Sequence, residues 1–253
     1  MLDEQVSILD NRKINQAYWK LTFESKSLAR RVLPGQFVNI QLDDDTDPLL
    51  RRPFSYYRTQ RARIEILYEI LGRGTRLLTQ KKKGDALFVL GPLGKSFTQF
   101  SKERKHVLVA GGVGVPPLVF LAEKTRVEHF LIGCKSKGEV LPKGELAKIK
   151  GSVSYTTEDG SYGTRGYVTV LLREIIEQEK DRDSLFIQTC GPHAMMEAVM
   201  KMAAEYGIEG EASIDERMAC GVGACLGCMV NTKDGYKTSC VEGPVFRFNE
   251  LVT

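Results

Sequence analysis

Up to about residue 98 the chain reads as short runs in which apolar and polar side chains alternate or mix in the manner of half-buried strands. The stretches 16–24, 36–42, 63–70 and 86–90 are the clearest of these. They are punctuated by Leu33-Pro34-Gly35-Gln36, Lys83-Gly84-Asp85 and Gly91-Pro92-Leu93-Gly94, whose glycines and prolines mark turns. Several short strands at this spacing predict a small antiparallel β-barrel or a sandwich. Beyond Phe100 the period changes. Apolar strands at 106–110, 129–134 and 184–188, with a weaker one at 152–156, alternate with helical patterns at 116–125, 168–178 and 192–206. Strand–helix alternation predicts a parallel, doubly wound α/β sheet. The last 43 residues are too few for an independent core, so a bound metal centre would supply much of their folding energy.

With 253 residues the chain exceeds one typical domain of about 150 residues. The patterns divide it at 1–99, 100–210 and 211–253. A hydrophobic share of 42% with 27% charged residues is that of a globular protein, and a net charge of +4 is small. The basic runs Lys81-Lys82-Lys83 and Lys102-Glu103-Arg104-Lys105 are short and read as solvated surface, so nucleic-acid binding is not indicated. The N-terminus lacks the basic and apolar regions of a signal peptide. The most apolar run, 113–122, holds two prolines and is half the roughly 20 residues that a spanning helix needs. The expectation is a cytoplasmic protein, where clustered cysteines act as metal ligands rather than disulfides.

Four cysteines are clustered: Cys220, Cys225 and Cys228 in the order C-x4-C-x2-C, then Cys240. This spacing is that of a plant-type [2Fe-2S] site, in which four thiolates hold two irons. Gly221, Gly223 and Gly227 suit a loop that brings backbone close to a cluster. A structural zinc module is the alternative from another class, but zinc sites favour two short Cys-Cys knuckles and Cys240 stands alone. Between a predicted strand and helix runs Ala110-Gly111-Gly112-Val113-Gly114-Val115-Pro116-Pro117, and Thr189-Cys190-Gly191-Pro192 follows another strand. Both would lie beyond strand carboxyl ends, where open α/β sheets bind ligands. Read alone, the first is also compatible with a bare strand-to-helix turn. In the barrel half, Arg51-Arg52-Pro53-Phe54-Ser55 offers a guanidinium for phosphate, an aromatic face and a small hydroxyl. Gly72-Arg73-Gly74-Thr75-Arg76 could open a helix onto an anion.

Taken together, Arg-Pro-Phe-Ser, the later Gly-Thr, the glycine loop and Cys-Gly-Pro resemble the ferredoxin–NADP reductase superfamily. The segment Glu216-Arg217-Met218-Ala219-Cys220 through Cys228, with Cys240-Val241-Glu242-Gly243-Pro244-Val245-Phe246, closely resembles the electron-transfer subunits of two-subunit, NAD-linked dihydroorotate dehydrogenases. The resemblance implies FAD on the barrel, NAD on the α/β domain and [2Fe-2S] in the tail. It assigns Arg52, Pro53, Phe54 and Ser55 to the flavin and its phosphates, and Leu67, Tyr68 and Glu69 to a second FAD-contacting strand. Gly74 and Thr75 would start the phosphate helix. Gly111, Gly112, Gly114, Cys190, Gly191 and Pro192 would serve NAD, and Cys220, Cys225, Cys228 and Cys240 the irons. Glu69 departs from relatives that carry a base there; an acid beside a pyrophosphate must be offset by Arg52, Arg73 or Arg76, or point away.

The implied activity is an electron relay in pyrimidine biosynthesis. Electrons from dihydroorotate, oxidised at an FMN on a partner subunit, would pass through the cluster and FAD to NAD+, in a heterotetramer of two plus two chains. No side chain of this chain is then needed as catalytic acid or base. His106, His129 and His193 read as structural or surface residues, and the methionines at 195, 196, 200 and 202 as helix packing. The small flavin subunits of NADH-dependent ferredoxin–NADP oxidoreductase and of sulfide dehydrogenase share the architecture and form the rival reading.

Overall fold

The computed structural model describes residues 1–42, 48–98 and 103–252; Lys102 and the expected boundary at 99–100 lie outside the described residues. Six strands close the N-terminal barrel: β1 (Leu2–Lys13), β2 (Tyr18–Glu24), β3 (Phe37–Gln41), β4 (Arg52–Gln60), β5 (Arg63–Glu69) and β6 (Ala86–Leu93). They are joined antiparallel in the order β1-β2-β5-β4-β3-β6. Their alternating inward residues, among them Leu21, Phe23, Ile40, Tyr56, Ile64, Ile66 and Val89, are fully buried and form the barrel core. Helix α1 (Lys26–Ala29) is a single turn whose N-cap Ser25 hydroxyl accepts from Leu28 N, and α2 (Arg73–Leu78) follows β5.

The second half is a seven-stranded sheet in the order β10-β9-β8-β7-β11-β12-β15. Its members are β7 (Lys105–Gly111), β8 (His129–Cys134), β9 (Ser152–Thr157), β10 (Thr164–Arg165), β11 (Leu185–Cys190), β12 (Glu209–Ser213) and β15 (Val245–Arg247). All pairings are parallel except that of β12 with β15. Helices α3 (Val115–Lys124), α4 (Val168–Gln178) and α5 (His193–Glu205) connect strands. The two prolines in the apolar run sit in the first turn of α3, where their missing N–H groups have no intrahelical acceptor to lose.

Residues 210 and 211 lie inside β12, which pairs with β11. The cysteine loop and a hairpin, β13 (Met229–Thr232) with β14 (Gly235–Thr238), are inserted between β12 and β15. The tail therefore begins and ends on the α/β sheet. Val230, Phe246 and Leu251 pack with Met196 and Met200 of α5, so the tail borrows a core where it lacks one of its own.

Barrel and sheet are joined by a buried ionic cluster. Arg58 of β4 donates to Glu123 of α3 (Nε–Oε1 2.8 Å), to Glu65 of β5 (3.0 Å) and to the Glu145 carbonyl (2.7 Å). Lys20 of β2 reaches Glu145 at 2.6 Å, and the Tyr57 hydroxyl donates to the same carboxylate. A second link crosses the sheet: the Glu211 carboxylate accepts from Thr98 N at 2.9 Å and from Gln188 Nε2 at 3.1 Å. No helix among the described residues is long and apolar enough to cross a membrane.

Candidate functional site

A cleft of about 440 Å³ opens where the barrel meets the sheet. Nine residues that the barrel motifs single out line it together: Arg52, Pro53, Phe54 and Ser55 from β4, Leu67, Tyr68 and Glu69 from β5, and Gly74 and Thr75 from α2. The strands are adjacent, so four-residue and three-residue motifs far apart in sequence form one wall. Phe54 and Tyr68 meet edge to face, ring centroids 5.9 Å apart. The Tyr68 hydroxyl is held by Asn11 Oδ1 at 3.0 Å, which fixes its ring as a rigid surface. Gly74 is required by close approach: a Cβ there would stand 2.9 Å from Arg52 Nε and 2.7 Å from Leu42. The Thr75 hydroxyl accepts from the Leu71 and Gly72 amides at 2.9 and 3.1 Å, so it shapes the helix start rather than reaching outward.

The rest of the lining includes residues of the motifs that were given no binding role. Val113 and Pro116 belong to the glycine loop and α3, and Asp215, Glu216, Arg217 and Met218 to the segment leaving β12. The signal for that second group was available, because 216–218 stand one residue before Cys220 in the cysteine motif. Asp215 is open to the cleft but hemmed in by protein. Desolvation first, then Glu216, raises its carboxyl, against the pull of His193.

The two glycine-bearing loops come together. Strands β7 and β11 are neighbours with Cys190 opposite Ala110. A Cβ on Gly114 would fall 2.0 Å from the Cys190 carbonyl oxygen, and one on Gly111 would meet Met195 and Pro192. Only glycine permits this approach. The Tyr18 hydroxyl donates to the Gly112 carbonyl at 2.7 Å, so the barrel itself holds the loop. Cys190 lines a small recess with Phe54, Ser55, Val113, Ser213 and Asp215. Burial, then Asp215, pushes its thiol up to about 12, against a hydrogen bond with Ser213. It is a neutral thiol at physiological pH.

The cysteine loop packs on the barrel rim. Cys228 and Cys240 are buried with Phe37 and Leu93, with Met218 against them, whereas Cys225 is exposed and Cys220 half-buried. Backbone amides are aimed at sulfur: Val222 N and Cys225 N at Cys220 Sγ (both 3.4 Å), Gly223 N at Cys240 Sγ (3.2 Å) and Gly227 N at Cys225 Sγ (3.5 Å). Gly221 and Gly223 have φ of 72° and 78°, and Leu226 is also left-handed at 57°. A Cβ on Gly221 would strike Asn39, whose amide donates to the Cys220 carbonyl. These amides, Val222's foremost, lower Cys220 to about 6, which favours the thiolate a metal requires. Cys225 acts on Cys220, and both Cys228 and Cys220 act on Cys240, so the four thiols form one electrostatic group. Four thiols in one segment, with backbone amides aimed at three of the sulfurs, fit a [2Fe-2S] group.

The iron–sulfur cluster binding domain of dihydroorotate dehydrogenase B matches residues 215–252. The chain is 38% identical to the electron transfer subunit of dihydroorotate dehydrogenase B (NAD(+)) of Desulforamulus reducens, covering 89% of each chain. It is 36% identical to the corresponding subunit of Geobacillus sp. (strain WCH70), covering 100% of this chain and 99% of that one. Among solved structures, one of an NADH-dependent reduced ferredoxin–NADP oxidoreductase superposes with a TM-score of 0.85 at 27% identity, covering 98% of this chain and 89% of its own. The ferredoxin NADP+ reductase of Neisseria gonorrhoeae, at 15% identity and a TM-score of 0.66, shares the fold over 81% of this chain and 92% of that one.

Proposed function

The chain belongs to the family of dihydroorotate dehydrogenase B electron-transfer subunits, and from that premise we propose that it relays electrons from dihydroorotate, oxidised on a partner subunit, to NAD+. The observation that carries this reading is the segment 215–218. It walls the cleft and runs directly into Cys220, so the nucleotide cleft and the thiol loop are parts of one continuous structure.

In this reading FAD occupies the cleft and a [2Fe-2S] centre the four thiols. When bound, the flavin supplies the exchange between a two-electron hydride and the single electrons that an iron–sulfur centre handles. Arg52, whose side chain lies close over Gly74 and donates to the Leu50 carbonyl, provides a positive charge for the FAD pyrophosphate. Pro53, Phe54, Leu67 and Tyr68 exclude water from the ring system, and Ser55 lies beside Cys190 at the junction of the two halves. Glu69 lines the same wall. Gly74 and Thr75 set the start of α2. The Gly111–Gly114 turn, with Cys190, Gly191 and Pro192, lets a dinucleotide lie close to backbone. Cys220, Cys225, Cys228 and Cys240 hold the irons, with amides neutralising charge on sulfur. No residue of this chain acts on dihydroorotate.

The division at 1–99, 100–210 and 211–253 is proposed as functional: flavin, dinucleotide and cluster. The partner in this reading is an FMN-bearing catalytic subunit in a cytoplasmic two-plus-two heterotetramer. The test is to co-purify the chain with such a subunit and measure dihydroorotate-dependent NAD+ reduction. The two visible chromophores should be present and the coupled activity should require this chain. A pale protein without iron, or a complex that leaves NAD+ unreduced, would sink the proposal. The close superposition on the NADH-dependent ferredoxin–NADP oxidoreductase chain favours a second reading, a small flavin subunit serving ferredoxin. Reduction of NAD+ by reduced ferredoxin, with none by dihydroorotate, would select it.

A further inference from the structure

The acid at position 69 lines the flavin cleft and is also directed at the glycine loop. Tyr18 and Glu69 are directly paired across β2 and β5, so their side chains share a face of the barrel. Tyr18 uses its hydroxyl to hold the Gly112 carbonyl. The Glu69 carboxylate points at the same residue: its Oε1 lies 3.7 Å from where a side chain on Gly112 would begin. Glu139, in the turn after β8, and Lys135, at the end of β8, act on the same carboxylate. The rim of the glycine loop thus carries two acids and one base. Of the cleft-wall arginines, Arg52 and Arg73 come from β4 and α2, and Arg217 from the segment leaving β12.

We propose that Glu69 belongs to the dinucleotide site and holds its affinity down: its carboxylate opposes the pyrophosphate of an NAD(H) lying on the Gly111–Gly114 turn. The inference rests on the reading that this turn receives the dinucleotide. A negative charge near a phosphate pair, partly shielded from water, costs affinity on the order of tenfold. The same geometry links binding to protons. Burial first, then Glu139, raises the Glu69 carboxyl, and Lys135 opposes that shift. The other titratable groups nearby are Tyr18, Cys134 and Tyr155, all raised by burial and all neutral near pH 7, with Cys134 at about 12. An incoming anion favours the protonated acid further, so binding takes up a proton and affinity rises as pH falls. A weak grip on the nicotinamide nucleotide would speed its release after each turnover.

The test is equilibrium titration of NADH into the flavin-loaded protein, wild type beside Glu69→Gln, from mildly acidic to alkaline pH. Glu69→Gln should tighten NADH binding by on the order of tenfold at alkaline pH and flatten its pH dependence. Glu139→Gln should tighten it in the same direction by less. Unchanged affinity in Glu69→Gln would overturn the inference. So would weaker binding, which would make the carboxylate a hydrogen-bond acceptor for a ribose hydroxyl. A wild-type protein that binds no NADH would overturn the reading of the turn itself, an outcome distinct from both.

Discussion

Arg58 and Glu123 meet across the junction of barrel and sheet, with the guanidinium Nη2 2.5 Å from Oε1 and Nε 2.8 Å from the same oxygen. One residue ends a run of barrel side chains and the other sits in the α3 helix that opens at the glycine loop. Their contact fixes how the flavin wall and the dinucleotide loop face each other.

Arg58→Met should therefore destabilise the protein strongly. Arg58 is 8% exposed, and Glu123, Glu65 and Glu145 would lose a shared counter-charge. Removing one member of a buried pair costs about 3–5 kcal/mol. Chemical denaturation of the purified chain should show a lower midpoint, and an unchanged midpoint would mean that the ionic cluster contributes nothing net.

The same cluster makes the protein acid-sensitive. Burial alone would raise Glu145, but Lys20, Tyr57 and Arg58 together lower it below its ordinary value. A group with a depressed folded-state pKa contributes stability that is complete above its unfolded value, about 4.3 for glutamate, and is lost as pH falls through the folded value. Thermal midpoints should drop on acidification below about pH 4.3, and Glu145→Gln should blunt that drop while lowering stability at neutral pH.

Arg52→Ala should weaken flavin retention. A charge-assisted contact to phosphate is worth about 1.5–3 kcal/mol, which is roughly ten- to a hundredfold in affinity. Flavin released on gel filtration measures this. Gly74→Ala should act in the same direction, because its methyl would displace the Arg52 side chain.

Cys225→Ser should abolish the iron–sulfur absorption and the one-electron exit while NADH still reduces the flavin. Cys225 is the exposed member of the four and, unlike Cys228 and Cys240, is not buried with Phe37 and Leu93, so its loss should leave the cleft intact. Anaerobic NADH titration followed at the flavin band checks this. A variant whose flavin no longer responded would contradict the order of carriers.

Much of this architecture was legible in the chain because β-alternation and strand–helix alternation carry different periods. The motifs that the resemblance assigns to the flavin meet at one cleft because β4 and β5 are adjacent. What was not legible depends on where distant segments converge. Strand β1, rich in Asp, Glu and Lys, has one face largely in water and lacks a strong apolar signal. Strand β12 carries Glu211, which reads as surface until Thr98, Gln188 and Arg247 are seen to satisfy it. Asp215–Met218 gained their place on the cleft only through the position of β12 beside β11. The orientation of Glu69 toward Gly112 likewise depends on a contact between halves of the molecule, and no local pattern encodes it.

Strand β15 returns from the cysteine loop to lie antiparallel beside β12, from which that loop departed. The thiols are consequently clamped at both ends of their segment to a rigid plate, unlike a carrier that swings on a tether. Electron hopping across this molecule would take place over a constant gap, and its speed would be governed by distance and driving force without waiting for any module to travel.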